Sequence, residues 1–241
     1  MILPQIRHTF DRTHGQMLAD LLGRGDPELR EAARARLESE GLDALLDDPR
    51  VLNALLAEEN ISLPPSLIFY VLVRQALLER GVGDRATADY VASLLLAFGQ
   101  GNRAYRISEE AKEEYHYLVD LVVGMGEAQG RQAFLLRSHL GNFSLWLTGI
   151  FPDYLESRTL RRGAPGIRYY EQMGSSGFRL ASKTREAEAL GMDQVFREVS
   201  DAFSEVRVAL NRVSDRHLWR SGADPVGRLL REVAAEREER S

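Results

Sequence analysis

The chain has no cysteine, which excludes disulfides and thiolate metal sites and fits a reducing compartment. Lysine is nearly missing too: Lys112 and Lys183 are the only two among 31 basic residues. The skew is most simply a codon bias, yet it gives every basic patch planar, bidentate donors. Long apolar runs are also scarce. The longest, 67–73, stops at Arg74, well short of the ~18–20 residues of a membrane-spanning helix. The first residues, Met1-Ile2-Leu3-Pro4-Gln5-Ile6-Arg7, lack the apolar stretch and small-residue cleavage site of a signal peptide. The expectation is a soluble, cytoplasmic protein without a transmembrane segment. Zinc-helix, nucleophile-elbow, Walker and dinucleotide motifs are missing as well, so no cofactor or metal is called for.

Strand signals are nearly absent, whereas helix start and stop signals recur. Asp26-Pro27 and Asp48-Pro49 each place a capping carboxylate before a proline suited to the first helical position. Pro64-Pro65 opens a helix to about Arg80, and the Gly81-Val82-Gly83-Asp84 turn leads into another ending at Phe98. Both are apolar nearly all round, as buried helices are. Ser108 reads as the cap of a further helix with the stripe Ala111, Tyr115, Leu118, Val119 and Val122, followed by a break at Gly124-Met125-Gly126. Val195, Val199, Ala202, Val206, Ala209 and Val213 alternate steps of four and three. Such a stripe is a bundle face first and a homodimer seam second.

The predicted fold is therefore all-α: a multi-helix bundle around a buried αα-hairpin (about 65–98), with a long C-terminal amphipathic helix (about 193–218). Residues 1–60 read as a helical segment packed on the core, 61–223 as the main domain, and 224–241 as a short tail helix with a solvated end. Residues 21–33 resemble the inter-helix turn of a HEAT-type repeat, but no second copy follows at the expected period, so no solenoid is implied.

What is present in excess is local. Segment 131–185 carries nine basic and three acidic residues, a net of +6 in a chain of −5, together with eight of the 19 aromatics. A basic, aromatic island in an acidic protein is the footprint of an anionic ligand or an acidic partner surface. Its densest part, 158–170, reads as a Gly/Pro-bounded loop. Arg158, Arg161, Arg162 and Arg168 supply guanidinium forks there, and Tyr169 and Tyr170 stand beside them. Arg179 is expected near this surface. The competing reading is that these arginines pair with the chain's own surplus of acids.

Other constellations carry less. Glu113-x-x-His116 is half of a di-iron motif, and helical phase puts it on a solvated face. His139 reads as an interior imidazole, and His217 as a charge near a helix end. Gly174-Ser175-Ser176-Gly177 suggests either a phosphate nest or close helix packing opposite Gly141, Ser144 and Thr148. Trp146 and Phe151 with the arginines would suit a lipid interface.

The expected function is a non-enzymatic binding or regulatory module contacting an acidic protein surface, or next a phosphate-bearing ligand, through residues 137–179. The alternative is a bundle enzyme holding a metal or organic cofactor in an apolar pocket. An isoelectric point near 5.7 disfavours duplex DNA. Far-UV circular dichroism is expected to show a helical spectrum; a strand content above about one-fifth would contradict the all-α reading.

Overall fold

Capping carboxylates and proline-started helices set the fold, and the computed structural model describes it for residues 2–57, 63–99, 103–108, 111 and 113–214. Among these residues there are thirteen α-helices, two 3-10 turns and no strand. The chain forms two compact units, Pro4–Ser93 and Leu94–Ser241, the latter joined by Met1–Leu3.

In the Pro4–Ser93 unit, α1 (Arg12–Leu22) begins where Asp11 accepts from the Thr13 and His14 amides at 2.9 and 3.2 Å. α2 (Pro27–Glu40) is capped by Asp26, which accepts from the Leu29 amide at 3.0 Å. Between them Gly23 sits so close to α2 that a Cβ there would lie 2.2 Å from the Arg30 Cβ, a space only glycine fits. α3 (Leu42–Leu46), α4 (Pro49–Ala57) and α5 (Pro65–Leu78) follow, then α6 (Arg85–Phe98), within which the division between the units falls. Leu18, Leu45, Leu46, Leu55, Leu67, Tyr70 and Leu77 are fully buried, each worth about 1.5–3 kcal/mol relative to exposure. Both helices of the predicted 65–98 hairpin are buried along most of their length.

Arginines of this unit find carboxylates. Buried Arg74 holds Asp47 at 2.6 Å and donates to the Gly83 carbonyl at 2.8 Å, and Arg85 reaches Asp47 at 2.7 Å. Burial alone would raise the Asp47 pKa; the two guanidiniums outweigh it and hold the carboxyl below its ordinary value.

The second unit is built on α8 (Gly130–Ile150). Around it stand α7 (Leu118–Glu127), α9 (Pro152–Arg162), α10 (Ile167–Ser182), α11 (Arg185–Ala189), α12 (Asp193–Asp201) and α13 (Phe203–Val213). The most extensive packing is α8 on α10, and small residues permit it. A Cβ on Gly177 would lie 2.8 Å from the Arg137 carbonyl and 2.9 Å from the Gly141 amide nitrogen. One on Gly141 would strike the Phe178 ring at 2.6 Å, and one on Gly174 the Phe203 ring at 2.5 Å. Ser175 and Ser200 exchange hydrogen bonds between α10 and α12, each hydroxyl donating to the other's carbonyl, at 3.0 and 2.9 Å. α13 caps the end of α8. The Asn211 amide donates to the Thr148 and Gly149 carbonyls at 2.8 and 2.7 Å, and the Ser214 hydroxyl to that of Ile150 at 3.0 Å.

Several boundaries differ from those the sequence suggests. The helix expected from Ser108 starts at Leu118 and runs through Gly124 and Gly126. Its buried residues are Leu118 and Leu121, while Val119, Val122 and Val123 are exposed. Residues 158–162 are not loop but the second half of α9, because Pro152 starts that helix and left-handed Gly163 (φ 60°) stops it. The predicted C-terminal helix is interrupted at Ala202, so its stripe serves α12 and α13 in turn, and all of it but half-buried Ala202 is buried within this unit. His217, the end of that helix and the 224–241 tail lie outside the described residues.

The close approach predicts a contrast between two helical glycines. Gly177→Ala, forced against backbone on α8, is expected to cost about 1–3 kcal/mol, lowering the melting temperature by several degrees. Gly126→Ala, with nothing within 4 Å of its Cβ, is expected to leave stability equal or raise it by up to about 1 kcal/mol. Thermal melts of the two variants check this.

Candidate functional site

α9 and α10 deliver the arginine-rich segment to one face of the second unit. Proline is tolerated at the first turn of α9 because its missing N–H has no partner there anyway. At the other end, Arg161 and Arg162 occupy the last turn, where the helix dipole favours cations. The Gly163 amide donates back to the Thr159 carbonyl at 3.1 Å, and the Thr159 hydroxyl bridges to the Leu155 and Pro165 carbonyls at 2.9 and 3.3 Å. This short connection sends the chain straight into α10, whose first turn carries Arg168, Tyr169 and Tyr170.

The predicted residues separate into two groups. Arg161, Arg162 and Arg168 are exposed. Arg158, one turn earlier on α9, is half-buried, with its guanidinium 5.6 Å from the centre of the Tyr154 ring and Nη1 3.5 Å from the Tyr154 hydroxyl. Its Nε is closed to solvent without a hydrogen-bond partner among the described residues. Tyr169 is exposed, whereas Tyr170 is buried and meets it edge-on at 5.8 Å. Arg179 is exposed three helical turns beyond Arg168, roughly 16 Å along the axis, and donates to the Ser176 hydroxyl at 3.3 Å. It is not brought to the others.

Arg158, Tyr169 and Tyr170 line a cavity of about 170 Å³ whose other walls the sequence reading missed. Tyr105 ends the 3-10 turn Arg103–Tyr105, and His116 lies in the non-helical residues 113–117 just before α7. Their rings lie 4.6 Å apart. The Tyr115 amide donates to the Tyr105 carbonyl at 2.7 Å, and Arg106 holds Glu114 at 2.9 Å, tying these two segments together. His116 Nε2 lies 3.5 Å from a Glu114 carboxylate oxygen without a hydrogen bond. The expectation of His116 on a solvated helix face is thus overturned, since residues 113–117 are not helical and α7 starts at Leu118. Phe143 and Leu147 of α8 and Tyr154 of α9 add further walls. Exposed Tyr117, Val119 and Tyr169 form the rim, and buried Leu118, Phe143 and Tyr170 the floor. Among the described residues no carboxylate lines the cavity.

The basic side chains of segment 131–185 have no carboxylate partner among the described residues. None of its nine basic residues makes an ion pair among the described residues. Arg7, Arg36, Arg50, Arg74 and Arg85 of the Pro4–Ser93 unit all hold carboxylates. Self-pairing of the island with the chain's own acids is therefore not what the described residues do.

Other expectations are corrected. Gly174-Ser175-Ser176-Gly177 is the middle of α10, where backbone amides serve the helix and Ser175 serves α12, so it forms no phosphate nest. Trp146 and Phe151 are buried and pack edge-on at 5.4 Å, away from any lipid interface. His139 is interior: it is 2% exposed, stacked on Phe143 at 6.1 Å and tilted against Phe98 at 5.8 Å. Among the described residues no group of three or more His, Asp or Glu side chains is placed to hold a metal ion, and no helix is long and apolar enough to cross a membrane. Comparison of the chain with family models, curated proteins and solved structures finds no match to any of them.

Burial pushes the His139 pKa down from 6.5 to about 3, so the folded protein keeps a neutral imidazole that the unfolded chain would protonate below pH 6.5. The unfolded state binds the extra proton, so stability falls as pH drops from about 6.5 towards 3. His139→Gln is expected to flatten that slope. Urea midpoints at pH 7 and pH 4 for both proteins test it, and an unchanged difference between the two pH values would refute the assignment.

Proposed function

We propose that this protein is a binding or regulatory module that contacts an acidic protein surface through the exposed arginines at the α9–α10 corner, Arg161, Arg162 and Arg168. The observation that supports this reading most is the absence of ion pairs, among the described residues, for every basic residue of segment 131–185. A guanidinium left without a carboxylate keeps both donors of its fork for a partner. Three of them flank a short connection, at the end of α9 and the start of α10, whose backbone is fixed by Gly163 and Thr159. Charges presented this way steer encounter and fix register more than they add affinity. Acidic protein surface ranks above phosphate because the exposed arginines spread over two helices rather than converging on one anion.

The double variant Arg161→Gln/Arg162→Gln tests the proposal against a structural role. Surface substitutions of this kind shift stability by no more than about 0.5 kcal/mol, so the melting temperature is expected to stay within about 2 °C of the parent. Retention on immobilised poly-L-glutamate is expected to weaken, and its dependence on salt to flatten, because screened contacts have been removed. A fall of more than about 10 °C, or undiminished retention, would assign the arginines elsewhere.

A further inference from the structure

The tyrosine-lined cavity differs in kind from the basic surface beside it. We propose that it is a small-molecule site for a single-ring aromatic acid, the ring lying among Tyr105, Phe143 and Tyr170 and the acid group turned to Arg158.

Size decides the first part. Drug-sized ligands and nucleotides occupy pockets of about 300–1,000 Å³, whereas an apolar cavity of about 150 Å³ takes a benzene ring. At about 170 Å³ this cavity fits one ring and a small substituent. Its walls suit a ring as well: Tyr105 and Phe143 already meet edge-on with centres 6.0 Å apart, the separation aromatic pairs prefer. The rim stands open, with Val119 58% exposed beside Tyr117 and Tyr169.

Charge decides the second part. A cage of tyrosines without other groups would suit a quaternary ammonium. Among the described residues a guanidinium is part of the lining and no carboxylate is, so a cation is repelled and an oxyanion is drawn in. Arg158 is half-buried with no ion pair among the described residues, and its one hydrogen bond among them is the long one to Tyr154. A charge this far removed from water gains from an opposite charge much more than an exposed one does. One carboxylate or phosphate on the ring supplies it through a forked hydrogen bond.

The site shares Arg158, Tyr169 and Tyr170 with the region discussed above but does not depend on a protein partner, and the test keeps the two apart. Ligand-observed NMR and calorimetry on the full chain are run with benzoate and phenyl phosphate as probes, and with inorganic phosphate and benzyltrimethylammonium as comparators. The aromatic acids are expected to bind saturably, with a Kd on the order of 0.1–1 mM for ligands this small, and the comparators at least tenfold more weakly. Arg158→Gln is expected to weaken benzoate at least tenfold, and Val119→Trp, placed at the exposed rim, to block it while the fold is kept. Arg161→Gln/Arg162→Gln is expected to bind benzoate as the parent does, even where it has lost poly-L-glutamate. Equal binding of benzyltrimethylammonium, no saturable binding of either acid, or benzoate binding indifferent to both Arg158→Gln and Val119→Trp would overturn the site. The behaviour of the double variant on poly-L-glutamate would stand unaffected by any of these outcomes.

Discussion

The distance between α8 and α10 governs the second unit. Helices with ordinary side chains at the contact run 8–10 Å apart, and α8 and α10 approach closely enough that Gly177 faces backbone atoms of α8 directly. Everything attached to α10 follows from this. Phe178 reaches over Gly141 and stacks with Phe196 of α12 at 5.6 Å, and Phe203 of α13 fills the space beside Gly174. A larger residue at any of these glycines would push α10 outward and take Tyr170, at its N-terminal end, away from Phe143. The cavity floor is thus a distant product of a packing rule.

The Pro4–Ser93 unit and the α9–α10 corner treat their arginines differently. In the Pro4–Ser93 unit guanidiniums and carboxylates are adjacent, and Asp47 and Asp48 each serve two arginines. Arg74 is buried, so its pairing with Asp47 is an obligation: removing one partner would strand a charge in a poor solvent. At the α9–α10 corner the arginines are exposed and carry no such obligation. Their charge is a surface property, sensitive to salt and to whatever approaches. Arg158 lies between these regimes, half-buried and without an ion pair among the described residues.

The fold class and much of the packing were legible in the sequence, because each rests on short-range signals. Asp26-Pro27 and Asp48-Pro49 cap helices as read, and the small residues of α8 and α10 do meet. What was misread turned on competition between local signals. Gly163, Pro165 and Gly166 suggested that the preceding arginines were loop, but Pro152 had already started a helix and only one left-handed glycine was needed to stop it. The stripe Ala111, Tyr115, Leu118 and Val122 has helical spacing, yet residues 113–117 are not helical, and Leu118 and Leu121 turn inward instead. The cavity was the hardest to foresee. Tyr105, His116, Phe143, Tyr154 and Tyr170 lie in separate elements, and only the Tyr154–Arg158 spacing of four residues was available as a hint.

An interface lined by glycine is smooth, and a smooth interface slides. Two helices that touch through bare backbone have several alignments of similar fit, displaced by a residue or a turn. The reciprocal hydrogen bonds of Ser175 and Ser200 act as a notch against such slippage, because both are lost together when either helix shifts by one residue. Asn211 sets a second notch, reaching two adjacent carbonyls at the end of α8 that no other position along it would offer. Ala202 separates the two, letting α12 lock to α10 while α13 locks to α8. The bundle thus gains from a few short polar contacts the single alignment that its close-packed apolar surfaces could not enforce.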